Sequence, residues 1–95
     1  MKEKKIEQQL VLRVKARGGI APKLICPSFD GMPDRMVLMP GSRIAFVEVK
    51  APGKKPRPLQ EIRHRKLRDL GFRVFVLDDV ENITGILDEM EENNG

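Results

Sequence analysis

The apolar residues of this chain change period along its length. Ile6, Leu10 and Val14 recur at i, i+4 and i+8 and Gly18-Gly19 follows, so residues 3–17 read as a helix with one buried stripe. Glu7 sits at the edge of that stripe, either at the rim of the core or touching the sheet. Residues 23–28 predict a short strand, with Pro27 marking an edge or an end. Phe29-Asp30-Gly31 is turn chemistry. Residues 35–39 and 43–50 predict two further strands, joined by Pro40-Gly41-Ser42 as a hairpin. Met32, Met36 and Met39 read as core filler.

Residues 51–58 (Ala-Pro-Gly-Lys-Lys-Pro-Arg-Pro) form a loop, and a helix follows over about 59–70. Leu59, Ile62, Leu67 and Leu70 are its expected inward face, with Arg63, Arg65, Lys66 and Arg68 on the others. His64 reads as an exposed helix residue without a catalytic role. Phe72 to Leu77 predicts a fourth strand, so 43–77 is a strand–helix–strand unit with a right-handed parallel crossover. Asp78 or Asp79 caps a last helix striped by Val80, Ile83, Leu87 and Met90, ahead of an acidic tail over 88–95 that frays from Glu91. The order αβββαβα predicts an α/β fold: one domain over 1–95, its core about 5–85, with a mixed four-stranded sheet flanked by helices.

The pattern breaks in one place. Ile44-Ala45-Phe46-Val47 is apolar on both faces, as in a central strand, yet Glu48-Val49-Lys50 follows directly. Glu48 and Lys50 share a face because side chains alternate along a strand. Buried charge is costly unless it is paired or holds a metal. A dozen residues upstream, the turn Gly31-Met32-Pro33-Asp34-Arg35 supplies another carboxylate.

Charge sharpens this picture. The net charge of +4 conceals +11 over residues 1–73, which hold all 18 Lys and Arg, and −7 over 74–95, which hold none. The basic excess is densest over 50–73, directly after Glu48, and points to a polyanion. The prolines of 51–58 hold Lys54, Lys55 and Arg57 outward with little entropy to lose. Together with Arg35 and Arg63 these are the candidate contacts to the phosphates of such a polyanion. One Cys and one His build neither a disulfide framework nor a zinc site within the chain, so any metal is a hard ion with oxygen ligands. No apolar run approaches the ~20 residues of a membrane helix, and no secretory signal is visible, so a reducing cytoplasm is expected.

Asp34, Glu48 and Lys50 make chemical sense as one site. Two carboxylates ~4 Å apart repel by about 4 kcal/mol at an effective dielectric near 20, and a divalent cation turns that repulsion into attraction. Mg²⁺ is commonly held by one or two carboxylates, and the Val49 carbonyl lies between the two side chains as a further ligand. Lys50 is placed to orient or deprotonate a water, or to neutralise charge on a phosphate. The alternative for Glu48 and Lys50 is an ion pair at a strand end, worth ~0–1 kcal/mol.

Pro33-Asp34 followed by Glu48-Val49-Lys50 resembles the PD-(D/E)xK nuclease superfamily, whose restriction-endonuclease-like core has the order αβββαβ. More narrowly, Gly31-Met-Pro-Asp34-Arg35, Phe46-Val-Glu48-Val-Lys50 and Gln60 are similar to the VRR-NUC (virus-type replication-repair nuclease) domain, in its stand-alone phage and bacterial type. The resemblance implies that Asp34 and Glu48 ligate Mg²⁺ or Mn²⁺ and that Lys50 is catalytic. It also implies that Gln60 lies near the site and that Glu7 assists a metal through water. The expected activity is metal-dependent endonucleolytic hydrolysis of DNA, selective for branched structures such as four-way junctions or flaps. A homodimer in a bacterial or phage-infected cell would carry it out. The alternative is a non-catalytic nucleic-acid-binding module.

Overall fold

In the computed structural model, which describes residues 2–92, the long aliphatic stripes decide the layers. Helix α1 (Glu3–Ala16) is followed by strands β1 (Arg35–Met39) and β2 (Arg43–Val49), helix α2 (Pro58–Asp69), strand β3 (Arg73–Leu77), a 3₁₀ turn over Val80–Asn82 and helix α3 (Ile83–Glu91). The sheet order is β1-β2-β3. β2 lies antiparallel to β1, as a hairpin, and parallel to β3, with α2 as the crossover.

The central strand divides the core. Ala45, Val47 and Val49 pack with Ile6, Leu10 and Val14 of α1 and with Ile83, Ile86, Leu87 and Met90 of α3. Phe46 packs on the opposite face with Leu67 of α2 and Val74, beside Met32 and Met36. Helices therefore cover both faces of the sheet. Lys2, at the N-cap of α1, makes no side-chain cap bond. The helix is held instead by Ile6, Leu10 and Val14, all fully buried, at about 1.5–3 kcal/mol each. Gly18, at φ 85°, lets the chain leave α1 in the left-handed region.

Three expectations need correction. The sheet has three strands among the described residues, not four. Residues 23–28 form no strand; isolated bridges join Ile20 to Leu38 and Lys23 to Arg35 along the outer edge of β1. Pro22 and Pro27 have no N–H to give a ladder, and Ser28 lies at φ 64°, outside extended geometry. The second correction is the rotation of α2. Gln60, His64 and Leu67 face inward, whereas Leu59, Ile62 and Leu70 are exposed. The third is His64, which is 2% exposed rather than on the surface. The inward face of α2 instead carries Gln60 and His64 over Glu48 at the end of β2, with Leu67 beyond them.

Neither Asp78 nor Asp79 caps α3, whose N-cap is Asn82 without a side-chain bond; Asp79 instead caps the 3₁₀ turn before it, its Oδ1 accepting from the Glu81 N–H at 2.9 Å. Of the tail expected to fray from Glu91, residues 93–95 lie outside the described residues; 83–91 is helical. No described helix is long and apolar enough to cross a membrane.

Candidate active site

The hairpin brings the two carboxylates together. Its register pairs Arg35 with Val47, so one step outward Asp34 falls opposite Glu48. Asp34 Oδ2 accepts the Val49 N–H at 2.8 Å, which ties the start of β1 to the end of β2. The preceding turn is held just as closely. At Gly31, φ is 92° and an added Cβ would lie 3.0 Å from Leu59 Cγ and Arg63 Cγ, so this turn seats against α2 only with glycine there. Pro33 is fully buried between the turn and β1.

Glu48 is 1% exposed, on the α2 face of the sheet. Its Oε2 accepts from Gln60 Nε2 at 3.0 Å and lies 3.5 Å from Lys50 Nζ. Gln60 is oriented by the start of α2, where its Oε1 accepts the Arg57 N–H at 2.8 Å. Lys50 is anchored by its own N–H, which donates to the Leu77 carbonyl at 2.9 Å. Glu48 Oε1 is buried without a hydrogen-bond partner. His64 Nε2 lies 3.6 Å away and is equally without one.

Burial and the neighbouring charge of Asp34 push the Glu48 carboxyl up to about 7, against the pull of Lys50. Burial and the positive charges of Arg68 and Lys50 hold His64 below its usual value.

Two carboxyls at facing positions of one hairpin, one of them buried with an oxygen that has no partner, suit a hard divalent cation, which needs only one or two such ligands from protein. No group of three or more His, Cys, Asp or Glu among the described residues gathers as a metal cage. Glu7 is accordingly not part of the cluster. It accepts from Arg35 Nε at 2.8 Å, and Arg35 also donates to the Ala21 carbonyl. Val49 spends its N–H on Asp34 and buries its side chain in the core.

The basic candidates divide. Lys54, Lys55 and Arg57 are exposed and make no ion pair among the described residues. Arg63 is engaged: its Nε donates to the Asp30 carbonyl at 2.8 Å and its guanidinium lies 3.8 Å over the Phe29 ring. The structure thus joins Asp34, Glu48, Lys50 and Gln60, and pairs Glu7 with Arg35 elsewhere. His64 is the neighbour of Glu48 that sequence reading overlooked. Its spacing of four from Gln60, which places both on one helix face, was the available signal.

Comparison with known proteins identifies the family. The VRR-NUC domain model matches residues 2–80. A protein named "Putative nuclease p44", from Acyrthosiphon pisum secondary endosymbiont phage 1, is 46% identical over 87 residues, 92% of each chain. A solved VRR_NUC domain superposes with a TM-score of 0.85 at 31% identity, covering 90% of this chain and 94% of that one. With the motif, the register that assembles it and the match over most of its length, the chain belongs to the VRR-NUC family.

Proposed function

We propose that this chain is a Mg²⁺- or Mn²⁺-dependent DNA endonuclease that acts on branched DNA as a homodimer. The observation that carries the reading is Glu48. It is buried against Asp34, its carboxyl is pushed up to about 7, and one oxygen has no partner. A carboxyl in that position must keep a proton or meet a cation.

Asp34 and Glu48, with the Val49 carbonyl, would hold the metal. A bound Mg²⁺ or Mn²⁺ lowers the pKa of its water and offsets charge on the phosphate in the transition state. The Lys50 ammonium, on the same face as Glu48, either orients the attacking water or neutralises the phosphate. Gln60 keeps Glu48 in one orientation from the start of α2. Lys54, Lys55 and Arg57, exposed on the loop between β2 and α2, meet phosphates of the strand entering the site.

The likeness to a phage protein with a nuclease name supports a nucleic-acid substrate. Among the described residues the helices are those that pack on the sheet, with no further helix set apart for base edges, which favours recognition of DNA shape. A four-way junction has two-fold symmetry, and a two-fold dimer supplies two sites at a fixed separation. The test incubates purified protein with labelled four-way junction, flap and linear duplex in Mg²⁺, Mn²⁺ or EDTA, and measures its mass by light scattering free and on junction DNA. Cleavage of branched substrates by a dimer, in metal alone, is expected. Equal cutting of linear duplex, or a monomer in both states, contradicts the junction reading; cutting in EDTA contradicts the metal.

A further inference from the structure

Helix α2 presents two polar side chains, Gln60 and His64, to the sheet on the same buried face as Leu67. Both are buried, and they are four residues apart, so they share one face of the helix. Each addresses a different oxygen of the same carboxylate. Gln60 Nε2 donates to Glu48 Oε2 at 3.0 Å, and His64 Nε2 faces Glu48 Oε1 at 3.6 Å. The second gap is a few tenths of an ångström longer than a hydrogen bond, and neither atom has another partner. A polar nitrogen left unpaired in the interior is destabilising, and leucine would fill the same volume without that cost.

We propose that His64 is a positioning residue for the metal site: its Nε2–H turns Glu48 through Oε1, as Gln60 does through Oε2, so that α2 fixes the plane of the metal-binding carboxylate. The inference rests on the reading of Glu48 as a metal ligand. A hydrogen bond from each would leave Glu48 little rotational freedom; Gln60 already makes its own, and His64 needs a shift of only a few tenths of an ångström to make the second. Groups behind a ligand that hold it in this way typically change metal affinity by about 10–100-fold when removed. A histidine that merely filled the core would change stability and leave affinity alone.

The test measures Mn²⁺ binding to the full chain without DNA, by electron paramagnetic resonance, alongside thermal unfolding. The proteins are wild type, Glu48→Gln, His64→Leu and His64→Gln. Wild-type binding that Glu48→Gln loses supports the metal-ligand reading; unchanged binding in Glu48→Gln overturns both the reading and the inference. With the reading upheld, His64→Leu is expected to weaken Mn²⁺ by about 10–100-fold with its melting temperature held or raised. His64→Gln, which keeps a donor near the Nε2 position, is expected to restore most of the affinity. Wild-type affinity in folded His64→Leu overturns the inference and leaves the metal site standing. Should His64→Leu not fold, ¹⁵N resonances of His64 in the wild-type protein with Mg²⁺ decide. An imidazole protonated on Nε2 supports the inference, and one protonated on Nδ1 overturns it.

Discussion

Gln60, in the first turn of α2, donates from Nε2 to Glu48 Oε2 at 3.0 Å, while its Oε1 accepts the Arg57 N–H at 2.8 Å. One amide thus joins the start of a helix to the carboxylate at the end of the central strand. Both groups lose a partner in Gln60→Ala, and a buried acceptor left unpaired costs about 1–3 kcal/mol. For a domain of this size that lowers the melting temperature by at least ~4 °C. Gln60→Glu should be worse near pH 8, because it sets a third carboxylate against Glu48 and Asp34. Thermal unfolding of both variants checks this; a Gln60→Ala protein as stable as wild type would mean that the amide holds nothing.

The Glu48 carboxyl also sets a pH dependence. In the folded, metal-free protein it keeps its proton up to about pH 7, whereas in the unfolded chain it ionises near its ordinary value of 4.5. Between those values the folded state binds more protons than the unfolded state, so this group makes stability fall as pH rises through the window. Mg²⁺ binds the ionised form, so its stabilising effect should grow over the same range. Melting temperatures of wild type and Glu48→Gln, measured from about pH 5 to pH 8 with and without Mg²⁺, test both slopes. Parallel curves for the two metal-free proteins would show that Glu48 titrates normally.

The exposed loop cations make a separate prediction. Lys54→Ala with Lys55→Ala should weaken DNA binding on every substrate and flatten the log–log salt dependence by about 2, at ~0.9 per phosphate contact. Arg63→Ala should act differently, by loosening the turn through Asp30 and Phe29 rather than by changing the salt slope. Fluorescence anisotropy over a salt series distinguishes them. An unchanged slope in the double variant would return Lys54 and Lys55 to an ordinary solvated surface.

Most of the site was legible because its elements are local. Asp34, Glu48 and Lys50 sit on one hairpin whose register is set by a short turn, so residue spacing alone brings them together. The helices over 3–16 and 83–91 follow from unbroken aliphatic stripes. What was not legible depends on tertiary contact. Residues 20–24 pair with the edge of β1 only at isolated bridges, which no periodicity encodes. In α2, four leucines and isoleucines suggested one face, but the carboxylate beneath the helix selected another, and His64 went inward with it. Glu7 and Arg35, read as metal-side and DNA-side residues, found each other across 28 positions of sequence.

A substitution at Lys50 tests catalysis apart from metal binding. Its Nζ lies 3.5 Å from Glu48 Oε2 but carries no lone pair while protonated, so it cannot serve as a ligand. Lys50→Ala should therefore lower cleavage by at least about 100-fold while Mn²⁺ affinity stays within a few-fold of wild type. Calorimetric Mn²⁺ titration beside single-turnover cleavage measures both; equal losses in the two would make Lys50 a part of the metal cradle instead.

Glu48→Gln is the most direct measurement. The change keeps the shape of the side chain and removes the charge that two neighbouring carboxyls hold at a cost. Single-turnover cleavage of labelled junction DNA in Mg²⁺ should fall by orders of magnitude, each tenfold loss being about 1.4 kcal/mol of barrier. DNA binding without metal should persist or tighten, and the melting temperature of the metal-free protein at about pH 8 should hold or rise. Cleavage at the wild-type rate, with the fold intact, would contradict the assignment of Asp34, Glu48 and Lys50 as the active site.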